Sequence, residues 1–554
     1  MLEKFANSAV RPADSGAAVI SNKDALLISY GDMLSAGGAA ADTDTALTRL
    51  RRFLKEWNRG DFSCLHLLPF HPYSSDDGFS VIDYSQVDSR VGSWDDIEAL
   101  GADFKMTFDF VINHGSVKSE WFARFLAGDE KYRSRYITRP KDYDFSKVVR
   151  PRTHPLLTKF IKKDSSEVYV WTTFSADQAD YDFSVPETLL EFIEIFLDYY
   201  RRGGRMLRLD AIAYLWKEDG TSCLHHRKTH AVVKLLRAII DYLELPMLLL
   251  TETNVPHKEN ISYFGGVFSL DAVGKIGRWA KLPEAHLVYN FALPPLCLHA
   301  AVSGDAAPLC KWAAELPALP EGKYFLNFLA SHDGVGLTPA RGLVDEQAFA
   351  RTLETARERG ALVSMKSVPE GQIPYELNCS WADMVAPESM GPPELQARAF
   401  LVTYAAALAL PGLPAVYFHS WTGSRAWREG PGLLGYNRAI NREKPSAGKL
   451  DAELRQAGSF RALVMDGFHR LFEFRCGEDA FSPSAPCEIL PAAGGIFALL
   501  RKSPDGRRKV AAVMNFSGVE ASVELPEIGG AQVSAHSVRW IAFDETGVQR
   551  DLIV

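Results

Sequence analysis

Short buried strands alternate with amphipathic helices along most of this chain, and that alternation limits the fold more than any other feature. The segment ALLISYGD reads as a strand, TALTRLRRFLKEW as an amphipathic helix and SCLHLLPF as a second strand. A helix opening at SWDDIEAL and a third strand, KMTFDFVINH, follow. After a break the pattern resumes with the helix PETLLEFIEIFLDYYRR, the strand MLRLDAIAY, the helix KTHAVVKLLRAIIDYL and the strand MLLLTET. HLVYNFAL and KYFLNFLASHD are further strand candidates, and the helix LQARAFLVTYAAALAL leads into the apolar segment PAVYFHS. Strands spaced by helices in this way pair in parallel, so the expected class is α/β.

Two stretches break the alternation, one from about 115 to 190 and an irregular one from about 335 to 392. Excursions of that length inside a βα pattern predict inserted subdomains rather than structureless loops. From about residue 480 the segments GIFALLRKS, RKVAAVMNFS, ASVELP and SVRWIAF read as short strands of a small antiparallel β domain.

Composition narrows the function classes. The 554 residues are 47% hydrophobic and 23% charged, which is globular and long enough for a large domain with accessory ones. The net charge of −8, with no concentrated basic face, excludes a nucleic-acid partner from the expectation. The start, MLEKFANSAVRPADSG, has no apolar signal region, and no run of about 18 apolar residues occurs. A cytoplasmic protein with no membrane contact is therefore expected. Seven scattered cysteines (Cys64, Cys223, Cys297, Cys310, Cys379, Cys476, Cys487) show neither CxxC nor Cys/His metal spacing, predicting reduced thiols and no metal site.

The strand ends carry the chemistry. Asp76 follows the second strand, and Asp109, Asn113 and His114 lie on or after the third. Arg208 and Asp210 sit on the fourth, Glu252 follows the fifth, and His332–Asp333 ends the seventh. One carboxylate at an apolar strand end is explained as well by a structural ion pair as by function. Three at corresponding ends of different strands, beside an arginine and two histidines, match what glycoside chemistry requires: a nucleophile, an acid/base and a transition-state stabiliser. In a retaining enzyme the first two stand roughly 5–5.5 Å apart. Arg208, two residues before Asp210 on one strand face, is expected to keep Asp210 ionised by lowering its pKa. The apolar neighbours LLLT are expected to raise Glu252.

At FDFVINH, LRLDAIAY, LLTET and ASHDG the sequence resembles the α-amylase superfamily of glycoside hydrolases, family 13. At SSDDGFSVIDY, TTFSADQADYD, YNFALPPLCLHA, PYELN and RAINR it is similar to the sucrose phosphorylase subfamily. The resemblance implies a (β/α)8 TIM barrel with inserted subdomains and a C-terminal antiparallel β domain. The expected division is a leader at 1–22, barrel at 23–114, 191–333 and 393–479, inserts at 115–190 and 334–392, and the β domain at 480–554. It further implies Asp210 as nucleophile, Glu252 as acid/base and Asp333 as transition-state stabiliser. His114, Arg208 and His332 would contact glucose, Asp76 and Arg442 would close the pocket floor, and Phe79, Phe174, Gln178 and Tyr214 would line it. Arg152 and Tyr375 would bind phosphate, the co-substrate, with no organic cofactor or metal.

The residues facing the acceptor differ from the usual sucrose phosphorylase pattern. Glu376 stands where that group has Gln, and Asn254 where it has His. SSDDGFSVIDY, LLTETNVPHKENI and GYNRAINR instead resemble the glucosylglycerate phosphorylases of the subfamily, which implies 2-O-α-glucosylglycerate as donor. Arg150 or Lys258 would then meet the glycerate carboxylate, and Glu376 a hydroxyl. Alternatives are a glucosylglycerol, sucrose or sucrose-6-phosphate phosphorylase, a hydrolase or transglucosylase on the same site, and a noncatalytic carbohydrate-binding protein. The chain is expected to act as a monomer or homodimer on small molecules.

Overall fold

The computed structural model describes residues 2–3, 20–37, 43–268, 281–368 and 371–554, so most of the expected 1–22 leader lies outside the described residues. Eight strands close a barrel: β1 (Leu26–Ser29), β2 (Cys64–Leu67), β3 (Lys105–Phe110), β4 (Gly204–Leu209), β5 (Leu248–Thr251), β6 (Leu287–Tyr289), β7 (Tyr324–Asn327) and β8 (Leu413–Tyr417). Each pairs in parallel with its neighbours in sequence, and β8 closes onto β1. The strands are nearly all buried, because the ring of helices covers the outside and side chains fill the centre. The helix Ala46–Trp57 shows how this outer layer forms. Thr45 caps its N-terminus, and Leu47, Leu50, Phe53 and Leu54 face the barrel.

Register sets the chemistry at the barrel mouth. Asp109 on β3 lies directly opposite Arg208 on β4, and Leu209 lies opposite Thr251 on β5. The residues that follow, Asp210 and Glu252, therefore emerge side by side at the C-terminal end of the barrel.

The first insert is ordered by two antiparallel pairings. Leu157–Ile161 pairs with Glu167–Trp171, and His114–Ser116 pairs with Gln178–Asp180. The second pairing sets Gln178 opposite Ser116 and returns the insert to the end of β3. The second insert is more regular than the sequence suggests. It holds the helix Glu346–Glu358 and a three-stranded antiparallel sheet of Val335–Gly336, Gly371–Asn378 and Leu362–Val368.

HLVYNFAL departs from the expectation. Its strand stops at Tyr289, and a buried helix, Leu293–Ser303, starts with Pro294 and Pro295 in its first turn. An apolar run carries no periodicity that separates a buried strand from a buried helix.

The C-terminal residues form a five-stranded antiparallel sheet from Cys487 to Ile553 and a separate pair, Ala521–Leu525 with Gly529–Val533. The sheet packs on the helix Pro393–Ala409, which is buried along nearly its whole length. Two buried guanidinium groups, Arg501 on the sheet and Arg475 on the helix Phe460–Cys476, hold the C-terminal end of Pro393–Ala409 through its carbonyls. Arg501 donates to Ala409 O at 2.7 Å and Ser482 O at 2.7 Å, and Arg475 to Leu408 O at 3.3 Å. All seven cysteines are free, and four of them are buried. Among the described residues no helix is long and apolar enough to cross a membrane, and no three His, Cys, Asp or Glu side chains are grouped to hold a metal ion.

Candidate active site

A cavity opens at the C-terminal end of the barrel. Of the site residues expected from sequence, Asp76, Phe79, His114, Arg152, Phe174, Gln178, Arg208, Asp210, Tyr214, Glu252, Asn254, His332, Asp333, Tyr375 and Glu376 all line it. Arg442 does not. It lies fully buried behind the wall, 3.6 Å from Asp76 and 3.7 Å from Asp333, with its Nε donating to His332 O at 2.9 Å. Distances of this kind make it an electrostatic floor rather than a hydrogen-bonding surface.

Arg208 organises the centre. Its Nη1 donates to Asp109 Oδ1 at 2.5 Å and to Asp210 Oδ1 at 2.8 Å, and its Nε to the Tyr289 hydroxyl at 3.2 Å. Asp109 also lies 2.8 Å from His66 Nε2. Burial would raise the Asp109 carboxyl, but Arg208 and His66 outweigh it and hold it low. Asp210 differs. The arginine contact expected from sequence is present, yet burial dominates and raises the Asp210 pKa, with Arg208 only partly offsetting it and Asp109 adding to the rise. Arg208 thus lowers the Asp210 carboxyl as expected, but burial outweighs it and the net shift is upward.

Glu252 is raised by burial to about 7, with Arg208 opposing the shift and Asp210 and Asp333 reinforcing it. Its Oε2 accepts from the Ala211 amide at 3.0 Å. Ala211 holds a left-handed conformation, φ 48°, unusual for a residue with a Cβ. That turn points the amide at Glu252 and places backbone strain between the two carboxylates. Burial would also raise Asp333, but Arg438, His332 and Arg442 hold it well below the usual carboxylate range. Burial keeps His332 neutral, stacked 4.9 Å from the Phe79 ring. One buried carboxyl is thus poised to give a proton near neutrality while another stays ionised.

The far wall comes from the inserts. His114 Nε2 lies 3.0 Å from the Phe79 carbonyl and 3.1 Å from Gln178 Nε2, so the short pairing of the first insert fixes both side chains. Phe174 packs between His114 and Tyr214, and the Arg152 guanidinium lies 6.0 Å from its ring. Asn254 Nδ2 is 3.4 Å from the Tyr375 hydroxyl. Burial raises that hydroxyl to about 12, with the Arg152 charge opposing it.

Sequence reasoning passed over Arg438. Its guanidinium reaches Asp333 Oδ1 at 2.5 Å and both oxygens of Glu376, at 2.7 and 3.1 Å. RAINR contains two arginines four apart, one helical turn, and that spacing was the available signal for a second inward-facing cation. Each oxygen of Glu376 thus accepts one bond from Arg438, which leaves each a further lone pair facing the cavity. Arg150 and Lys258 do not line the cavity: Arg150 donates to the His154 carbonyl and faces the Phe145 ring, and Lys258 is exposed.

A family model described as the α-amylase catalytic domain matches residues 60–284. A glucosylglycerate phosphorylase of Spirochaeta thermophila is 45% identical over 512 residues, covering 92% of this chain and 84% of the relative. The chain belongs to the glucosylglycerate phosphorylase family of the α-amylase superfamily. A glucosylglycerate phosphorylase of Escherichia coli is 41% identical, covering 87% of this chain and 83% of its own. Among solved structures, sucrose 6F-phosphate phosphorylase from Thermoanaerobacter thermosaccharolyticum superposes with a TM-score of 0.78 at 22% identity, covering 98% of this chain and all of that one. That likeness bears on the fold.

Proposed function

We propose that this chain is a retaining α-glucoside phosphorylase that converts 2-O-α-glucosylglycerate and phosphate to α-glucose 1-phosphate and glycerate, reversibly. Asp210 attacks the anomeric carbon while Glu252 protonates the glycosidic oxygen, and glycerate leaves. Phosphate then enters on the vacated side, Glu252 takes its proton, and its oxygen displaces Asp210 with net retention. Asp333 stabilises the positive charge that develops on the sugar ring. Asp76, His114, Arg208 and His332 hold the glucosyl unit, with Phe79, Phe174, Gln178 and Tyr214 around it; Asn254 and Glu376 border the acceptor, and Arg152 and Tyr375 receive phosphate.

The observation that carries this reading is the grouping of Asp210, Glu252 and Asp333 in one cavity of a chain 45% identical to a glucosylglycerate phosphorylase. It is supported by a split between two of these carboxyl groups, Glu252 raised to about 7 and Asp333 held low. That split supplies an acid and a permanent anion at the same pH. Barrel segments 23–114, 191–333 and 393–479 hold the reacting groups in this reading, and the inserts 115–190 and 334–392 hold the acceptor loops. Seven unpaired thiols support a reducing, cytoplasmic setting.

The test is glucose 1-phosphate release from glucosylglycerate, glucosylglycerol and sucrose, each with and without phosphate. Phosphate-dependent release favouring glucosylglycerate is expected. Free glucose at an equal rate without phosphate would make the enzyme a hydrolase, and preference for glucosylglycerol would change the acceptor.

A further inference from the structure

Three guanidinium groups face the cavity, those of Arg152, Arg208 and Arg438. Two are already balanced. Arg208 lies between Asp109 and Asp210, and Arg438 spans Asp333 and Glu376. Arg152 has no carboxylate partner among the described residues; its recorded contact is the Phe174 ring, and its charge acts on the Tyr214 and Tyr375 hydroxyls.

The proposed reaction brings two anions into this cavity in turn. In 2-O-glucosylglycerate the carboxylate is attached to the carbon that bears the glycosidic oxygen. Phosphate attacks with one oxygen at the place that oxygen vacates and carries its remaining charge on oxygens two bonds away, where the carboxylate oxygens of glycerate stand three bonds away. The two negative charges therefore fall in nearly the same position beside Glu252. An anion entering among the five carboxyl groups of Asp76, Asp210, Glu252, Asp333 and Glu376 needs a cation that is not already neutralised.

We propose that Arg152 is a single anion seat used twice, by the glycerate carboxylate while the glucosyl-enzyme forms and by phosphate once glycerate has left. This rests on the glucosylglycerate reading given above. A guanidinium fork fits both groups, since each offers two oxygens in a bidentate geometry. Glu376 does not repel the acceptor, because both of its oxygens are held by Arg438. One seat makes phosphate and glucosylglycerate mutually exclusive on the free enzyme, and gives a neutral acceptor no benefit from Arg152.

The experiment measures acceptor release in phosphate-free buffer from glucosylglycerate and from neutral glucosylglycerol, using the full-length enzyme and Arg152→Gln. Turnover of α-glucosyl fluoride checks the fold. For glucosylglycerate, kcat/KM is expected to fall roughly tenfold to a hundredfold, the loss of a charge-assisted contact. The loss with neutral glucosylglycerol and with the fluoride should be at least several-fold smaller than with glucosylglycerate, and Arg152→Lys should recover part of that difference. Equal losses on both glucosides, or a loss confined to phosphate use, overturn the shared seat and leave the proposed function standing. If Arg152→Gln fails on the fluoride, wild-type kinetics decide: phosphate inhibition competitive with glucosylglycerate supports the seat, and noncompetitive inhibition overturns it. A wild type that makes no glucose 1-phosphate from glucosylglycerate removes the proposed function and the seat with it.

Discussion

At the glucosyl end of the cavity, Asp109, Arg208 and Asp210 sit on neighbouring barrel strands whose register brings them together. At the acceptor end, Arg152, Asn254, Arg438 and the adjacent pair Tyr375–Glu376 come from four separate segments that no barrel register connects. The first end is held by the same backbone hydrogen bonds that close the barrel, so its geometry costs little beyond folding itself. The second is held by side-chain contacts between inserted segments, above all the Arg438 bridge between Asp333 and Glu376. In the proposed reaction the chemistry of bond exchange would be fixed to the rigid part, and the choice of acceptor to the part that tolerates change.

The largest expected effect tests the rigid end. Asp210→Asn should lower phosphorolysis roughly 10^4-fold or more, with an unchanged circular dichroism spectrum, because the proposed reaction gives the attack on the anomeric carbon to Asp210. A smaller loss would mean the nucleophile lies elsewhere. Next comes Glu252. The acid must carry its proton to release glycerate, so the wild-type kcat/KM should fall as pH rises through about 7. Glu252→Gln should cost roughly 10^2–10^4-fold with glucosylglycerate and remove that alkaline limb. It should cost much less with α-glucosyl fluoride, whose leaving group needs no proton. Persistence of the limb in the variant would assign it to another group.

The bridge between the two ends is the third target. Arg438→Met leaves Asp333 and Glu376 without their shared cation and should destabilise the fold by about 2–3 kcal/mol, somewhat less than the usual cost of breaking a fully buried pair because solvent reaches the site. Denaturant unfolding measures this, and an unchanged midpoint would show that the bridge contributes nothing. The smallest effect belongs to Gly336, where an added Cβ would stand 2.5 Å from the Asn254 amide. Gly336→Ala should turn that side chain aside and raise the KM for glucosylglycerate by about threefold or more, with α-glucosyl fluoride turnover unchanged. Equal changes with both donors would place Asn254 at the glucosyl end instead.

The alternation of strands and helices was legible because a strand buried on both faces must be apolar throughout and the helices over it must be amphipathic. Where an apolar run carried no period, as in HLVYNFALPPLCLHA, the strand-to-helix change at Leu293 was not readable. The inserts were readable as interruptions only, since antiparallel pairs such as Gly336 with Glu376 join residues far apart in the chain.

By itself the sequence determined which carboxylates stand at strand ends, because an ionisable group inside a buried strand is tolerated only where it is paired or used. Only the tertiary structure decided what each carboxylate is worth. The same residue type is held low at Asp109 and Asp333 and raised at Asp210, according to how many cations burial leaves within reach. It also decided which arginines are taken: Arg208 and Arg438 find carboxylates across the cavity, and Arg152 finds none among the described residues, because pairing depends on distances between segments that the chain order does not encode.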